Sequence, residues 1–256
     1  MLLELSYSDF HIIFACGSGE MPGLGICGTP FVSGITSQLA GKSVSSYAVE
    51  YSASISQASA GPGATDMTKH VVGVAQECPN TVFVLGGYSQ GASVTDIAIG
   101  ISTSLGVGEY IPETLAPRIK AIVTFGNPLK LQGQTIESSS QLYGSKAIEY
   151  CNLGDPVCGN GFNTIAHMTY PTDGSVDKAA AQAAALVQGG EDDDPFRGRP
   201  IGLDIQNIVQ TQGAMRLQLS EQKWLTANDD KDRTRNKRQN WCCIELRAGI
   251  RETFHK

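Results

Sequence analysis

The sequence predicts an α/β fold, a three-layer α/β/α sandwich around a central five-stranded parallel sheet. Five short runs rich in apolar residues alternate along the chain with four helix-like segments, and such alternation is typical of parallel sheets with helical crossovers. The runs at residues 10–15, 81–85 and 119–125 contain few polar residues and lead into glycine, as expected for strands that helices cover on both faces. A chain of 256 residues, 41% of them apolar, is long enough to bury such a core.

The predicted elements place the carboxyl ends of the strands at one edge of the sheet. The strands are expected at residues 10–15, 44–51, 81–85, 119–125 and 146–151. The helices are expected at about residues 30–40, 64–76, 90–105 and 179–187. Because parallel strands end at a common edge, we expect residues just past the strand ends to lie together, where open α/β sheets bind ligands.

Charge separates the chain into a predicted globular domain at residues 1–190 and a charged extension at residues 191–256. The domain carries 7 Lys and Arg with 14 Asp and Glu, whereas the much shorter extension carries 12 and 11. A segment this densely charged is expected to have little order. The net charge of −6 argues against nucleic acid as a partner. No apolar run approaches 18 residues, so we expect no membrane-spanning helix.

The pattern G-x-S-x-G at residues 87–91 places Ser89 directly after a predicted strand and before a predicted helix. This context is that of a nucleophile elbow, the sharp turn that exposes a serine hydroxyl above the sheet of an α/β-hydrolase. Small residues must flank the serine in such a turn, and the glycines at positions 87 and 91 supply that room. Ser89 is therefore the candidate nucleophile.

A serine nucleophile needs a general base at neutral pH, and histidine is the usual one. Four histidines are present: His11, His70, His167 and His255. The first lies at the start of a strand, the second within a helix and the last in the charged extension. His167 lies in a predicted loop after the last strand, and the hydrolase order of nucleophile, acid and histidine along the chain selects it.

The acid that orients the histidine should lie between Ser89 and His167, just past the end of a strand. The acidic residues in that interval are Asp96, Glu109, Glu113, Glu137, Glu149 and Asp155. Only Asp155 lies shortly after the end of a predicted strand; the others lie on a helix, in connections or within a strand. Asp155 is therefore the candidate for holding the imidazole in the correct tautomer.

Acyl transfer also requires hydrogen-bond donors for the developing oxyanion. The backbone N–H of Gln90, directly after the nucleophile, can supply one. Ser18 follows the first strand and can offer a second N–H and a hydroxyl. Ser18, Ser89 and Asp155 thus all fall past the carboxyl ends of strands, at the expected ligand edge.

These segments together resemble the cutinase family of serine esterases over about residues 9–184. The resemblance rests on Gly-Tyr-Ser-Gln-Gly at 87–91, on Cys-Asn-Leu-Gly-Asp-Pro-Val-Cys at 151–158 with His167 a few residues later, and on Ala-Cys-Gly-Ser-Gly-Glu at 15–20. The last is similar to the family's Ala-Arg-Gly-Ser/Thr-x-Glu signature. The resemblance implies a catalytic domain with the triad Ser89, Asp155 and His167 and the oxyanion-hole residues Ser18 and Gln90. It also implies a secreted ester hydrolase that acts on cutin or related polyesters and on short-to-medium acyl esters.

The cysteines agree with this resemblance only in part. A bridge between Cys151 and Cys158 would close a short loop around the candidate acid and would suit an oxidising compartment, although no signal peptide is recognisable at the N-terminus. The family pairs a cysteine before the first strand with one before the nucleophile strand. Cys78 matches the second of these, and no cysteine matches the first. The sequence leaves open whether Cys78 is free or pairs with Cys16 or Cys27; Cys16 itself stands where the family signature has arginine.

Three apolar residues near the candidate acid and histidine are candidates for substrate binding: Val157, Phe162 and Ile165. We expect them at the entrance of the site, where apolar side chains favour an acyl chain. The alternative is that Phe162 and Ile165 pack downwards and anchor the loop.

Two other functions remain open at this point. Acetylxylan esterases resemble the same pattern, and the missing first bridge with Cys16 leaves room for a non-catalytic binding protein on a hydrolase scaffold. No metal-binding spacing or phosphate loop is present. We therefore expect a monomer that binds an ester or polyester substrate and needs neither a metal nor a cofactor.

Overall fold

A five-stranded parallel sheet forms the centre of the computed structural model, which describes residues 8–192. The strands are β1 (Phe10–Ala15), β2 (Val44–Ala48), β3 (Val82–Tyr88), β4 (Ile119–Phe125) and β5 (Ala147–Tyr150). Their order across the sheet is β2-β1-β3-β4-β5, with every neighbouring pair parallel. The predicted fold class is confirmed. Residues 191 and 192 of the predicted extension belong to the end of a helix, and residues 193–256 lie outside the described residues.

Helices cover both faces of the sheet. The α-helices of residues 8–192 are α1 (Gly25–Gln38), α2 (Ala60–Glu77), α3 (Gln90–Ala98), α4 (Ile136–Ser139), α5 (Thr164–Met168) and α6 (Ser175–Asp192). Short 3₁₀ helices lie at Glu113–Arg118, Pro128–Gln132 and Gly144–Lys146. Helices α2 and α3 pack together on one face, and α1 and α6 on the other. The three-layer arrangement follows from this division.

Alternation along each strand explains why the strands appear as unbroken apolar runs. On β1, Ile13 and Ala15 belong to the buried cluster shared with α2 and α3, whereas Ile12 and Phe14 belong to the cluster shared with α1 and α6. Successive side chains on a strand point to opposite faces. Because both faces are covered, both sets must be apolar.

The prediction that the third helix ends at about residue 105 is wrong. Helix α3 ends at Ala98, and Gly100 adopts a φ of 84°, a left-handed conformation that favours glycine and interrupts a helix. The chain then turns back, and the N–H of Ile101 donates to the carbonyl oxygen of Asp96 at 2.8 Å. Residues after this point are therefore a connection, and part of that connection reaches the candidate site.

A histidine pair lies between the sheet and α2. His11 on β1 is buried, and its Nε2 lies 2.8 Å from Nε2 of His70 on α2. Its Nδ1 lies 2.7 Å from the hydroxyl of Ser45 on β2, and the ring of Tyr47 stacks on His70. Burial, together with the neighbouring imidazole, lowers the pKa of His11 to about 3, and burial lowers the pKa of His70 to about 4.

Acid should destabilise the fold through this pair. Histidines of the unfolded chain bind protons below about pH 6.5, whereas the native pair binds them only near pH 4 and below. Unfolding therefore takes up protons between these limits, and the free energy of unfolding falls as the pH drops through that window. We expect the pair to account for a fall on the order of 3 kcal/mol between pH 7.5 and pH 5.

The groups that face His11 and His70 are Ser45, Tyr47 and, through its hydrogen bond with the Tyr47 hydroxyl, the carboxylate of Asp66. Denaturant unfolding at pH 7.5 and pH 5 measures the fall in the free energy of unfolding. A His70→Gln variant keeps one of the two histidines, so its stability should fall by about half as much over this interval. Equal falls in the parent and the variant would exclude the pair as the source.

Candidate active site

Ser89 occupies a strained turn between β3 and α3. Its φ of 55° and ψ of −119° lie where residues with a side chain are rarely found. Close packing requires glycine on both sides: a Cβ at Gly87 would lie 2.0 Å from the carbonyl oxygen of Gly91, and a Cβ at Gly91 would lie 2.0 Å from that of Ala15. The Ser89 N–H donates to the Phe125 carbonyl at 2.9 Å, which ties the turn to the end of β4.

Asp155 and His167 are in direct contact. His167 Nδ1 lies 2.8 Å from Asp155 Oδ2. The aspartate is fully buried, and its other oxygen accepts the N–H of Val157 at 2.7 Å. A proton on Nδ1 directed at the carboxylate leaves Nε2 as the nitrogen that can accept a proton. His167 lies in the short helix α5 rather than in the predicted loop, and the side chain of Asn163 caps that helix by accepting two of its N–H groups.

Residues next to the Ser89 turn hold the imidazole of His167. The ring of Tyr88 stacks with it at a centroid distance of 5.0 Å, and the Tyr88 hydroxyl donates to the His167 carbonyl at 2.8 Å. Gly126 has a φ of 60°, and a Cβ there would lie 2.6 Å from His167 Cε1. Within residues 8–192 no hydrogen bond joins Ser89 Oγ to His167. Catalytic hydrogen bonds are often long without substrate and tighten when it binds.

Ser18 and Gln90 meet at the turn that follows β1. The Ser18 hydroxyl lies 3.2 Å from Gln90 Oε1, so the two candidate oxyanion residues contact each other. Within the described part of the chain, neither main-chain N–H has a hydrogen-bond acceptor. Gln90 is the first residue of α3, where the N–H has no intrahelical partner and the helix dipole favours negative charge. Both N–H groups are thus available to an oxyanion.

Three further side chains support these groups, and the motif analysis assigned none of them a role. Ser59 accepts the Gln90 side-chain amide at 3.2 Å. The Glu20 carboxylate accepts the backbone N–H of Gly17, in the turn that carries Ser18, and that of Ile26, in the first turn of α1. The Tyr170 hydroxyl donates to Asp155 at 2.6 Å. Glu20 belongs to the signature quoted above, whereas Ser59 and Tyr170 carry no sequence signal because their contacts arise only in the folded chain.

An open cleft of about 570 Å³ lies beside the loop that carries Asp155. Its lining combines four connections: Ile55, Ser56 and Gln57; Ser104 and Leu105; Pro128, Leu131 and Gln132; Pro156 and Val157. Val157 therefore lines the cleft, whereas Phe162 and Ile165 do not. The alternative that Phe162 and Ile165 pack downwards is wrong, because they are 98% and 63% exposed.

The predicted disulfide between Cys151 and Cys158 is present and closes the loop around the buried carboxylate. Cys16 and Cys27 are buried free thiols, so neither pairs with Cys78; Cys78 is itself disulfide-bonded, so it is not free either. Burial is the main cause that raises the pKa of Cys16 to about 11, so this thiol is protonated and poorly nucleophilic at neutral pH.

Two further properties concern only the part of the chain that the structure describes. No three His, Cys, Asp or Glu side chains there are grouped so that they could hold a metal ion. None of its helices is both long and apolar enough to cross a membrane.

Comparison with known proteins places this arrangement in a family. The family model for cutinase matches residues 6–187. The chain belongs to the cutinase family. A cutinase of Kineococcus radiotolerans is 53% identical over 183 residues, which make up 71% of this chain and 62% of that protein. The probable carboxylesterase Culp3 of Mycobacterium tuberculosis is 41% identical over 182 residues, 70% of this chain and 68% of the relative.

A solved cutinase structure has the same fold. Trichoderma reesei cutinase, in complex with a phosphonate inhibitor, is 28% identical with a TM-score of 0.57, over 72% of this chain and 79% of that one. The predicted resemblance to cutinases is therefore confirmed. The match to the Kineococcus cutinase spans less than two thirds of that relative's length.

Proposed function

We propose that this domain is a serine esterase that hydrolyses carboxylic esters through an acyl-enzyme. Ser89 is the nucleophile, His167 the general base and Asp155 the acid that orients it. The observation that carries the proposal is the 2.8 Å contact between His167 Nδ1 and Asp155 Oδ2 beside a strained G-x-S-x-G turn. Membership of the cutinase family and the Culp3 relative, a probable carboxylesterase, support the same reaction class.

The reaction proceeds in two balanced halves. Ser89 Oγ attacks the ester carbonyl carbon while His167 Nε2 takes the hydroxyl proton, and the carbonyl oxygen becomes an oxyanion that accepts from the N–H groups of Ser18 and Gln90. The C–O bond to the alcohol then breaks, and the imidazolium returns its proton to the leaving alcohol. Water attacks the acyl-enzyme by the same route, so that the acid and the free serine are released.

The cleft favours an apolar acyl chain. Four of its ten lining residues have polar side chains, but Ile55, Leu105, Leu131 and Val157 provide apolar surface against which an acyl chain can pack. We therefore propose short-to-medium acyl esters and polyesters of the cutin type as substrates. Acetylxylan esterase activity is the alternative.

Hydrolysis of p-nitrophenyl acetate, butyrate and octanoate, with acetylated xylan and a polyester film as further substrates, tests the choice. The proposal requires higher kcat/KM on butyrate and octanoate than on acetate, together with release of soluble products from the film. Acetate release from xylan with little action on butyrate would favour the alternative. A fluorophosphonate probe that leaves Ser89 unlabelled in folded protein would favour a non-catalytic binding protein.

A Phe162→Ser variant tests whether the exposed apolar residues near the site bind the acyl chain of the substrate. Its side chain is 98% exposed and stands five residues before His167, so serine at this position removes apolar surface without opening a core cavity. If the octanoyl chain covers this surface, Phe162→Ser should raise KM for octanoate about threefold to tenfold and leave kcat/KM for acetate unchanged. Leu186→Ser, at a 36% exposed position of α6, is the control for loss of apolar surface elsewhere in the domain. Equal effects on both esters would remove Phe162 from the binding surface.

We also propose that the enzyme is secreted and acts as a monomer without a cofactor. The Cys151–Cys158 bridge supports an oxidising destination, and no step of the reaction above requires a cofactor. Activity retained in the presence of a metal chelator, in a sample of monomeric mass, is the expected result.

A further inference from the structure

We propose that Tyr170 is a positioning residue of the esterase. Its hydroxyl holds the Asp155 carboxylate in place and reduces the electrostatic stabilisation that this carboxylate gives to protonated His167. This inference rests on the function proposed above. The Tyr170 hydroxyl lies 2.6 Å from Asp155 Oδ2, the same oxygen that lies 2.8 Å from His167 Nδ1. Two donors therefore meet on one carboxylate oxygen, and only one of them takes part in proton transfer.

The neighbours of Tyr170 establish which way its hydroxyl points. The backbone N–H of Asn152 donates to the phenol oxygen at 3.0 Å, and an N–H can only donate. The phenol oxygen is therefore an acceptor in that bond, and its own hydrogen is directed at Asp155. Cys158 Sγ lies 3.5 Å from the same oxygen, but it belongs to the disulfide and has no hydrogen to donate.

Packing keeps the phenol in this position. Tyr170 is fully buried, and its ring lies edge-on to His167 at a centroid distance of 6.3 Å, with Tyr88 and Phe125 at 6.1 and 5.8 Å. Burial and the bond to Asp155 raise the pKa of Tyr170 well above its usual range. The hydroxyl therefore remains protonated, and remains a donor, wherever the enzyme is active.

The chemical effect of this bond is to spread the charge of the carboxylate. Asp155 accepts from Val157 on one oxygen and from His167 and Tyr170 on the other. Hydrogen bonds from neutral donors stabilise a carboxylate and make it a weaker base. Without the phenol hydroxyl, more of the negative charge acts on the imidazole, so the protonated imidazole becomes more favourable. The carboxylate also loses one of the contacts that keep it from turning.

A Tyr170→Phe variant tests this role, with Tyr150→Phe as the matched control. The Tyr150 hydroxyl contacts the exposed Gln182 at 3.0 Å, so the control removes the same group away from the site. kcat and kcat/KM for p-nitrophenyl butyrate are measured across pH and normalised to sites titrated with a fluorophosphonate. In the pH profile of kcat/KM, the acid limb is the fall in rate at low pH, and we expect Tyr170→Phe to move its midpoint upwards by about one pH unit. The same variant should lower kcat about tenfold with little change in KM. Tyr150→Phe should match the parent.

The Tyr170→Phe substitution leaves the other ionisable groups near Asp155 and His167 unchanged. Tyr88 lies against the imidazole, Asp173 accepts the side-chain amide of Asn152 at 2.5 Å, and Glu20 acts on Tyr88 from the oxyanion side. A tyrosine with a merely structural role would lower the melting temperature and the titrated fraction of sites, but it would leave the acid limb in place. An acid limb that is unmoved, or moved downwards, overturns the inference.

A second variant keeps the inference testable if Tyr170→Phe does not fold. Site-specific 3,5-difluorotyrosine at position 170 retains the ring and the hydroxyl but is a stronger donor, so the acid limb should move downwards, opposite to the phenylalanine variant. An unmoved limb in that variant also overturns the inference. Failure of the proposed function has a different signature, because the parent itself would then resist fluorophosphonate labelling and ester hydrolysis.

Discussion

Ser89→Ala is expected to lower kcat for p-nitrophenyl butyrate by roughly 10⁴ to 10⁶ with little change in KM. The hydroxyl at this position is the proposed nucleophile, and the other hydroxyl of the turn, that of Tyr88, donates to the His167 carbonyl instead. Alanine removes one oxygen and keeps the backbone as it is. The melting temperature should therefore stay close to that of the parent.

A matched change four residues along the same helix separates chemistry from folding. Ser93 is buried on α3, as Ser89 is at its start, and Ser93→Ala should keep activity within about twofold of the parent. The fluorophosphonate should label the parent and the Ser93 variant stoichiometrically and leave the Ser89 variant unlabelled. Activity within tenfold of the parent in Ser89→Ala would assign the nucleophile to another residue.

Much of the fold follows from local sequence because its strands are covered on both faces. Strands β1 and β4 have the predicted bounds, because the apolar side chains of each run are divided between two buried clusters, one on each face of the sheet. The end of α3 did not follow from the sequence. An apolar pattern continues through Ile99 and Ile101, and the helix is broken by the backbone conformation of Gly100, which the pattern does not report.

The candidate site divides in the same way between local and tertiary information. Ser89 and Gln90 are specified by a five-residue turn, and Asp155 by its place after a strand, so sequence alone predicts where they lie. The contact of Tyr170 with Asp155 spans 15 positions along the chain and depends on how α5 folds back over the disulfide loop. Likewise, Ser59 reaches Gln90 across 31 positions. Such contacts have no spacing rule, and a single sequence does not reveal them.

Asp155→Asn is expected to lower kcat about 10⁴-fold near neutral pH, because each of the three groups that contact this carboxylate donates a hydrogen bond to it. Val157 N–H donates to one oxygen at 2.7 Å, and His167 and Tyr170 contact the other at 2.8 and 2.6 Å. An amide nitrogen placed towards His167 would donate to Nδ1 and drive the proton to Nε2. The histidine would then hold the wrong tautomer and could not take the Ser89 proton.

The other orientation of the amide is also unfavourable, since its nitrogen would then face the Val157 N–H, and two donors would meet in a buried site. The loss should therefore appear in kcat and in the rate of fluorophosphonate labelling, with Ser89 still in place. Asp66→Asn is the control, because that partly exposed carboxylate accepts from Tyr47 and Glu50 away from the site, and its activity should remain near that of the parent. A loss of less than tenfold in Asp155→Asn would mean that the stacking of Tyr88 and the close approach of Gly126 are sufficient to orient His167, and the acid would have no essential part in catalysis.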